Sequence, residues 1–269
     1  MSIITISRGS YSRGKEVAEK LAQTLGYECI SRDILLEASE QFNIPEIRLV
    51  RAIHDAPSVF ERFTYGKERY VAYIRAALLS RVQKDNVVYH GLAGHFFLEG
   101  VPHVLKVRII ADFEDRVREE MERENISAEK AGHILKKDDE ERRKWALHLY
   151  GIDTHNPGLY DMVLHTQTMT VDDAVKVILN AVQLPCYKTT PESQGILDNL
   201  TLSAQVQAAL AEEFPTASVS SKDGGVYIVI KGSFLTQEKK LTTKVKNIAE
   251  KISGGKDVNV YIDTIITDD

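Results

Sequence analysis

The chain of 269 residues holds only 2 cysteines, 7 prolines and 1 tryptophan. Cys29 and Cys186 lie far apart in sequence, which excludes a CxxC metal site and a disulfide framework. No stretch approaches the about 18 uninterrupted apolar residues that a membrane helix needs. The opening MSIITISRGS also lacks the basic-then-apolar order of a secretory leader, so the expected location is the cytoplasm, with both thiols reduced. Positive charge is not in excess: 34 Lys and Arg stand against 39 Asp and Glu, a net of −5. That sign disfavours a protein held to nucleic acid through its phosphates. Repeats and low-complexity tracts are absent too. What remains is ordinary globular composition, 43% hydrophobic and 27% charged, in a chain long enough for about two domains.

The order of patterns predicts an α/β domain first. Ile3 to Ile6 is a β-branched run, Ser7 to Gly14 a polar glycine-containing loop, and Val17, Ala18, Leu21, Ala22 and Leu25 then recur at helical steps before a Gly26 cap. Further strands are expected at Glu28 to Ile30, Asn86 to Tyr89, His103 to Ala111 and Asp161 to Leu164, spaced widely enough for helical crossovers and hence for a parallel sheet. Thr170 and Asp173 form a capping pattern for a helix running to Val182, which closes a domain over 1–183. Residues 184–196, with two prolines among Ser, Thr and Gly, read as a linker. The remainder, 197–269, predicts a small α+β domain. Its order is helix Leu197 to Phe214, a hairpin of Ala217 to Ser221 and Val226 to Lys231 around Asp223-Gly224-Gly225, helix Gln237 to Ile252, and strand Val258 to Ile266.

The chemistry concentrates in the first loop. Gly9-Ser10-Tyr11-Ser12-Arg13-Gly14-Lys15 fits GxxxxGK between a strand and a helix, the context in which backbone N–H groups cradle phosphates and the lysine reaches the β and γ oxygens. A lysine at a helix N-terminus opposes the helix dipole unless an anion is bound, whereas the competing reading is a tight turn with a solvated Lys15. The motif's last element is missing, since Glu16 stands where Ser or Thr would bind Mg²⁺ and Val17 has no hydroxyl.

These residues, with others along the first domain, resemble the bacterial cytidylate kinase-like proteins, a branch of the P-loop nucleoside monophosphate kinases. The resemblance rests on ITISRGSYSRGKEVAEKLAQTLGYECISRDIL, on Asp139-Glu140-Glu141-Arg142 as a lid DxxR, and on Tyr160 to Thr166 as YDxxxxT. It implies a P-loop parallel-sheet fold in which Gly9, Ser10, Tyr11, Ser12, Arg13, Gly14 and Lys15 bind ATP. By the same resemblance Arg32, Asp33 and Asp139 serve the acceptor side, and Lys15 and Arg142 are catalytic. The implied reaction moves the γ-phosphoryl group of ATP to a nucleoside monophosphate such as CMP, with Mg²⁺ expected and its usual protein ligands absent. Glu16, Val17 and Leu92, the last standing where relatives carry arginine, support an alternative: a degenerate nucleotide sensor that signals to a partner. His90 is either a polar group near the phosphates or a hydrogen-bonded structural residue. The region 197–269 resembles a BON-type domain, which implies a binding or association module for a protein partner or a second copy.

Overall fold

The computed structural model describes residues 2–9, 12–31, 33–46, 48–50, 66–91, 93–231 and 238–263. Ser10, Tyr11, Arg32, Leu92 and the expected strand end at 264–266 therefore lie outside the described residues. The chain forms two compact units. One holds the described residues up to Ile34 together with Lys84–Ser193, and the other those of 35–83 together with 194–263.

The first unit is built on five parallel strands, β1 (Ile3–Arg8), β2 (Glu28–Ile30), β3 (Val87–His90), β4 (Val104–Ile110) and β5 (Met162–His165), in the order β2-β3-β1-β4-β5. β1 and β3 are central, and their runs Ile3 to Ile6 and Val87 to His90 are buried on both faces, as strands covered by helices must be. Helix α1 (Gly14–Leu25) turns Val17, Ala18, Leu21 and Ala22 onto the sheet and ends at Gly26, whose φ of 68° suits glycine. Helix α2 (Asp33–Phe42) follows β2, α3 (Gly66–Val82) precedes β3, and the single turn α4 (Gly94–Phe97) follows β3. Helices α5 (Phe113–Glu124) and α6 (Ala128–Tyr150) form an arm between β4 and β5. Helix α7 (Val171–Val182) starts at the expected capping box, with Thr170 and Asp173 bonded reciprocally, and packs into the same core as α1. The third strand begins one residue later than expected because Asp85 and Asn86 have φ of 62° and 58°, a left-handed turn that no strand contains.

In the second unit, helix α8 (Pro191–Leu210) begins before Leu197 and ends before Phe214. The prolines and hydroxyls that read as a linker instead make the 3-10 turn Pro185–Tyr187 and a helix start, in which Pro191 opens the helix. The amide of Ser193 donates to Thr190 Oγ1 at 3.2 Å, and that of Thr190 to Ser193 Oγ at 2.9 Å. Three strands follow in the order β6 (Ser218–Lys222), β7 (Gly225–Lys231), β8 (Val258–Asp263), with helix α9 (Glu238–Ser253) between the last two. Asp223 and Gly224, with φ of 51° and 80°, make the tight hairpin turn, and β8 runs parallel to β7. The expected helix, hairpin, helix, strand order is present. The core here joins Val206 and Leu210 of α8 to Val226, Ile228, Ile230, Val245 and Ala249. Helix α3 belongs to this unit and is bonded to α8: Gln205 donates to Ser80 Oγ at 2.9 Å, Arg75 to Gln207 at 3.2 Å and Gln83 to Asp198 at 2.7 Å. No helix of the described residues is long and apolar enough to cross a membrane.

Candidate active site

The loop after β1 is held by its neighbours from below. Gly9 N–H donates to the Ile109 carbonyl at 3.2 Å, and the buried Ser12 hydroxyl reaches the carbonyls of Ile109 at 3.0 Å and Gly9 at 3.1 Å. The Thr166 hydroxyl, at the end of β5, in turn reaches the Ser12 carbonyl at 3.1 Å and that of Ile110 at 3.2 Å. Arg13 at φ 58° turns the chain into α1. Gly14 cannot be replaced without movement, since a Cβ there would sit 2.8 Å from Arg8 Cβ and 3.4 Å from Ile109 Cβ. Gly9 is under no such pressure. Arg13, at the N-cap of α1, makes no side-chain cap bond, and the first N–H groups of a helix, which lack partners within it, are the groups that bind anions at the carboxyl edge of a sheet.

Cations surround that opening. Lys15 is exposed, with its Nζ 3.6 Å from Glu19 one turn along. Arg13 donates to Glu16 at 2.8 Å and lies 3.6 Å from Glu119, and the bond to Glu16 raises its pKa. Glu16 therefore sits against a guanidinium and does not leave a bare carboxylate at the loop. Arg142 Nη1 donates to the Arg8 carbonyl at 3.3 Å, which brings this arginine to the loop's root. Asp139 instead accepts from Arg116 at 2.7 Å, and Arg116, whose side chain is only 11% exposed, has Nη1 3.5 Å from where a Cβ on Gly9 would stand. Arg116 is the residue that sequence reasoning missed. Its one available signal was its place, a single turn into the helix that follows β4.

His90 ends β3 opposite Ile6, is 3% exposed, and its Nδ1 has no hydrogen-bond partner among the described residues. Burial first, then the Arg8 and Lys15 charges, push its pKa down to about 4 against the opposing pull of Glu19 and Asp33, so the imidazole is neutral at pH 7. Asp33 opens α2 and accepts from Ser31 N–H at 2.7 Å. The glycines that follow His90 are required sterically: a Cβ on Gly91 or on Gly94 would lie 2.5 Å from the Tyr89 ring or its hydroxyl. The YDxxxxT residues prove to be braces. Tyr160 OH donates to the Thr154 carbonyl at 3.1 Å and accepts from Arg108 at 3.1 Å, Asp161 accepts from Lys106 N–H at 2.8 Å, and Thr166 clamps the loop.

The donor set suits a polyphosphate, with the backbone N–H groups at the start of α1, Lys15 and two arginines at the loop, while Gly14 lets α1 start close against Arg8 and Ile109. It does not suit a protein-held Mg²⁺. Among the described residues no three His, Cys, Asp or Glu are grouped to hold a metal, the Ser12 hydroxyl is committed to carbonyls, and Glu16 and Glu19 face cations.

Residues 3–168 match the cytidylate kinase-like family. A cytidylate kinase of Pyrobaculum neutrophilum is 36% identical over 123 residues, which are 46% of this chain and 66% of that protein. One of Pyrobaculum aerophilum is 23% identical over 181 residues, 67% of this chain and 92% of that protein. In three dimensions an uncharacterised protein of Eubacterium ventriosum aligns with a TM-score of 0.52 at 19% identity, covering 68% of this chain and 98% of that one, a likeness of fold alone. The strand, loop and helix around Gly14, the cations gathered at it and the match over 3–168 together establish that this chain belongs to the cytidylate kinase-like family.

Proposed function

We propose that the chain transfers the γ-phosphoryl group of ATP to a nucleoside monophosphate, with CMP as the first candidate acceptor. One observation carries the reading: the open N-terminus of α1, on a loop clamped by Ser12 and Thr166, is flanked by Lys15 and by Arg116 and Arg142 from the arm of α5 and α6. Phosphoryl transfer spreads negative charge over three oxygens, so fixed donors and cations at that point lower the barrier with little covalent chemistry. The loop N–H groups and Lys15 hold the β and γ phosphates. Arg142 neutralises the transferring group, and Asp139 acts through Arg116 as a positioning residue. Mg²⁺ would have to be held by the nucleotide's own oxygens and water, and the reading assigns it no step. Arg32, outside the described residues, and Asp33 stand on the acceptor side by family resemblance.

The experiment is steady-state transfer from ATP to a panel of nucleoside monophosphates, with Lys15→Ala and Arg142→Ala beside the unsubstituted protein. Each substitution is expected to lower kcat/KM by about 10²-fold or more, the usual cost of one charge-stabilising donor. Transfer that survives Lys15→Ala unchanged contradicts the reading. A second reading has its own observation: the position of the metal-binding hydroxyl is taken by Glu16, which is tied to Arg13. On that reading the site senses ATP, and the C-terminal elements, BON-like in their order, pass its state to a protein partner or a second copy. Binding of ATP that depends on Lys15 with no transfer to any acceptor is its signature.

A further inference from the structure

The carboxyl edge of the sheet has two chemically different sides. Toward β4 and β5 stand Arg116, Asp139 and Arg142, an arrangement for anionic oxygens. Toward β3 and β2 stand His90 and Asp33, an imidazole and a carboxylate, with Arg8, Lys15 and Glu19 close enough to act on the imidazole and Ile30 of β2 paired to Tyr89 beside them. His90 is 3% exposed and its Nδ1 meets no donor or acceptor among the described residues, although buried polar nitrogens in folded proteins are nearly always paired. Its ring lies one residue past Tyr89, where Gly91 and Gly94 keep the backbone thin against that tyrosine. It is also two pairs before the loop, since Ile6 opposite it leads directly into Ser7 and Arg8. A neutral imidazole presents one donor and one acceptor and does not attract a phosphate, as a cation in its place would.

We propose that His90 is a specificity-determining residue for the acceptor, its ring hydrogen-bonding an uncharged hydroxyl or amine of the acceptor on the β3 side of the phosphate loop. The inference rests on the kinase reading above and adds which part of the acceptor is read, and by what. Burial, with Arg8 and Lys15 beside it, keeps the ring neutral, so it selects the acceptor's neutral end while Arg116 and Arg142 serve the phosphates.

The test is equilibrium binding of CMP, UMP, AMP and GMP, each with a non-hydrolysable ATP analogue present, to the full chain and to His90→Phe and His90→Asn, with thermal melts alongside. His90→Phe is expected to weaken the best-bound monophosphate tenfold or more and to change ATP-analogue affinity less than twofold. His90→Asn, which keeps a polar group near the Nδ1 position, recovers part of the loss. If His90→Phe leaves all four monophosphates bound as before, His90 is a packing residue and the proposal is overturned while the kinase reading stands. If the unsubstituted protein binds neither ATP analogue nor monophosphate, the kinase reading falls and takes this inference with it. Should His90→Phe not fold, ¹⁵N-histidine NMR of the unsubstituted protein decides: saturating monophosphate must shift the His90 ring nitrogens, and unmoved resonances overturn the assignment.

Discussion

Single residues near the sheet's carboxyl edge carry a pH liability. His90 and His95 are buried with a ring nitrogen unpaired among the described residues, and burial is the largest cause of pKa values lowered to about 4 and about 3. Around His90 stand Arg8, Lys15, Glu19 and Asp33; around His95, packed against Phe96 and Tyr160, stand Arg108 and Lys106. Unfolded histidine titrates at about 6.5, so between that pH and about 4 the unfolded chain binds protons that the folded one does not. Stability is therefore complete above pH 6.5 and falls on acidification, by roughly 3 kcal/mol for His90 alone at 1.36 kcal/mol per pKa unit. Urea melts at pH 7, 5.5 and 4 measure this, and midpoints that do not move over that range contradict it. The glycines and lysine of the loop were legible in the sequence because GxxxxGK is a spacing rule. The burial of His90, and the pairing of Arg116 with Asp139, were not, because each depends on residues brought from another element.

At the scale of elements, the phosphate loop is shaped by strands that do not contain it. Ser12 and Thr166 are far apart in sequence, yet one carbonyl and one hydroxyl join them and pin the loop to β4 and β5. Thr166→Val keeps the volume and removes the hydroxyl. It is expected to cost about 1 kcal/mol of stability, the net worth of one hydrogen bond, and to weaken ATP binding several-fold by loosening the loop. Chemical denaturation and an ATP titration on the same variant check both; an ATP affinity identical to that of the unsubstituted protein contradicts the clamp. The strands, α1 and the capping box of α7 were readable from periodicity and local capping chemistry. Errors fell where local chemistry has two meanings. Asp85 and Asn86 belong to a left-handed turn ahead of β3, and Thr190, Pro191 and Ser193 start a helix where their composition suggested a linker.

At the scale of the whole molecule, an acidic chain of net charge −5 gathers its cations at one loop, so local placement of charge outweighs the overall balance. Helices α2 and α3, inserted between β2 and β3, share a compact unit with the C-terminal elements through the bonds of α3 to α8. No sequence pattern announced that union, because apolar residues run round both α3 and α8 with no single face marked out to meet a partner. The central claim, that the loop serves phosphoryl transfer to a nucleotide acceptor, is tested most directly by ³¹P NMR of ATP, Mg²⁺ and CMP incubated with the purified full chain. The account predicts that ADP and CDP appear in equal amounts as ATP and CMP are consumed. ATP that stays intact while bound, or that yields ADP and inorganic phosphate with no CDP, would contradict it.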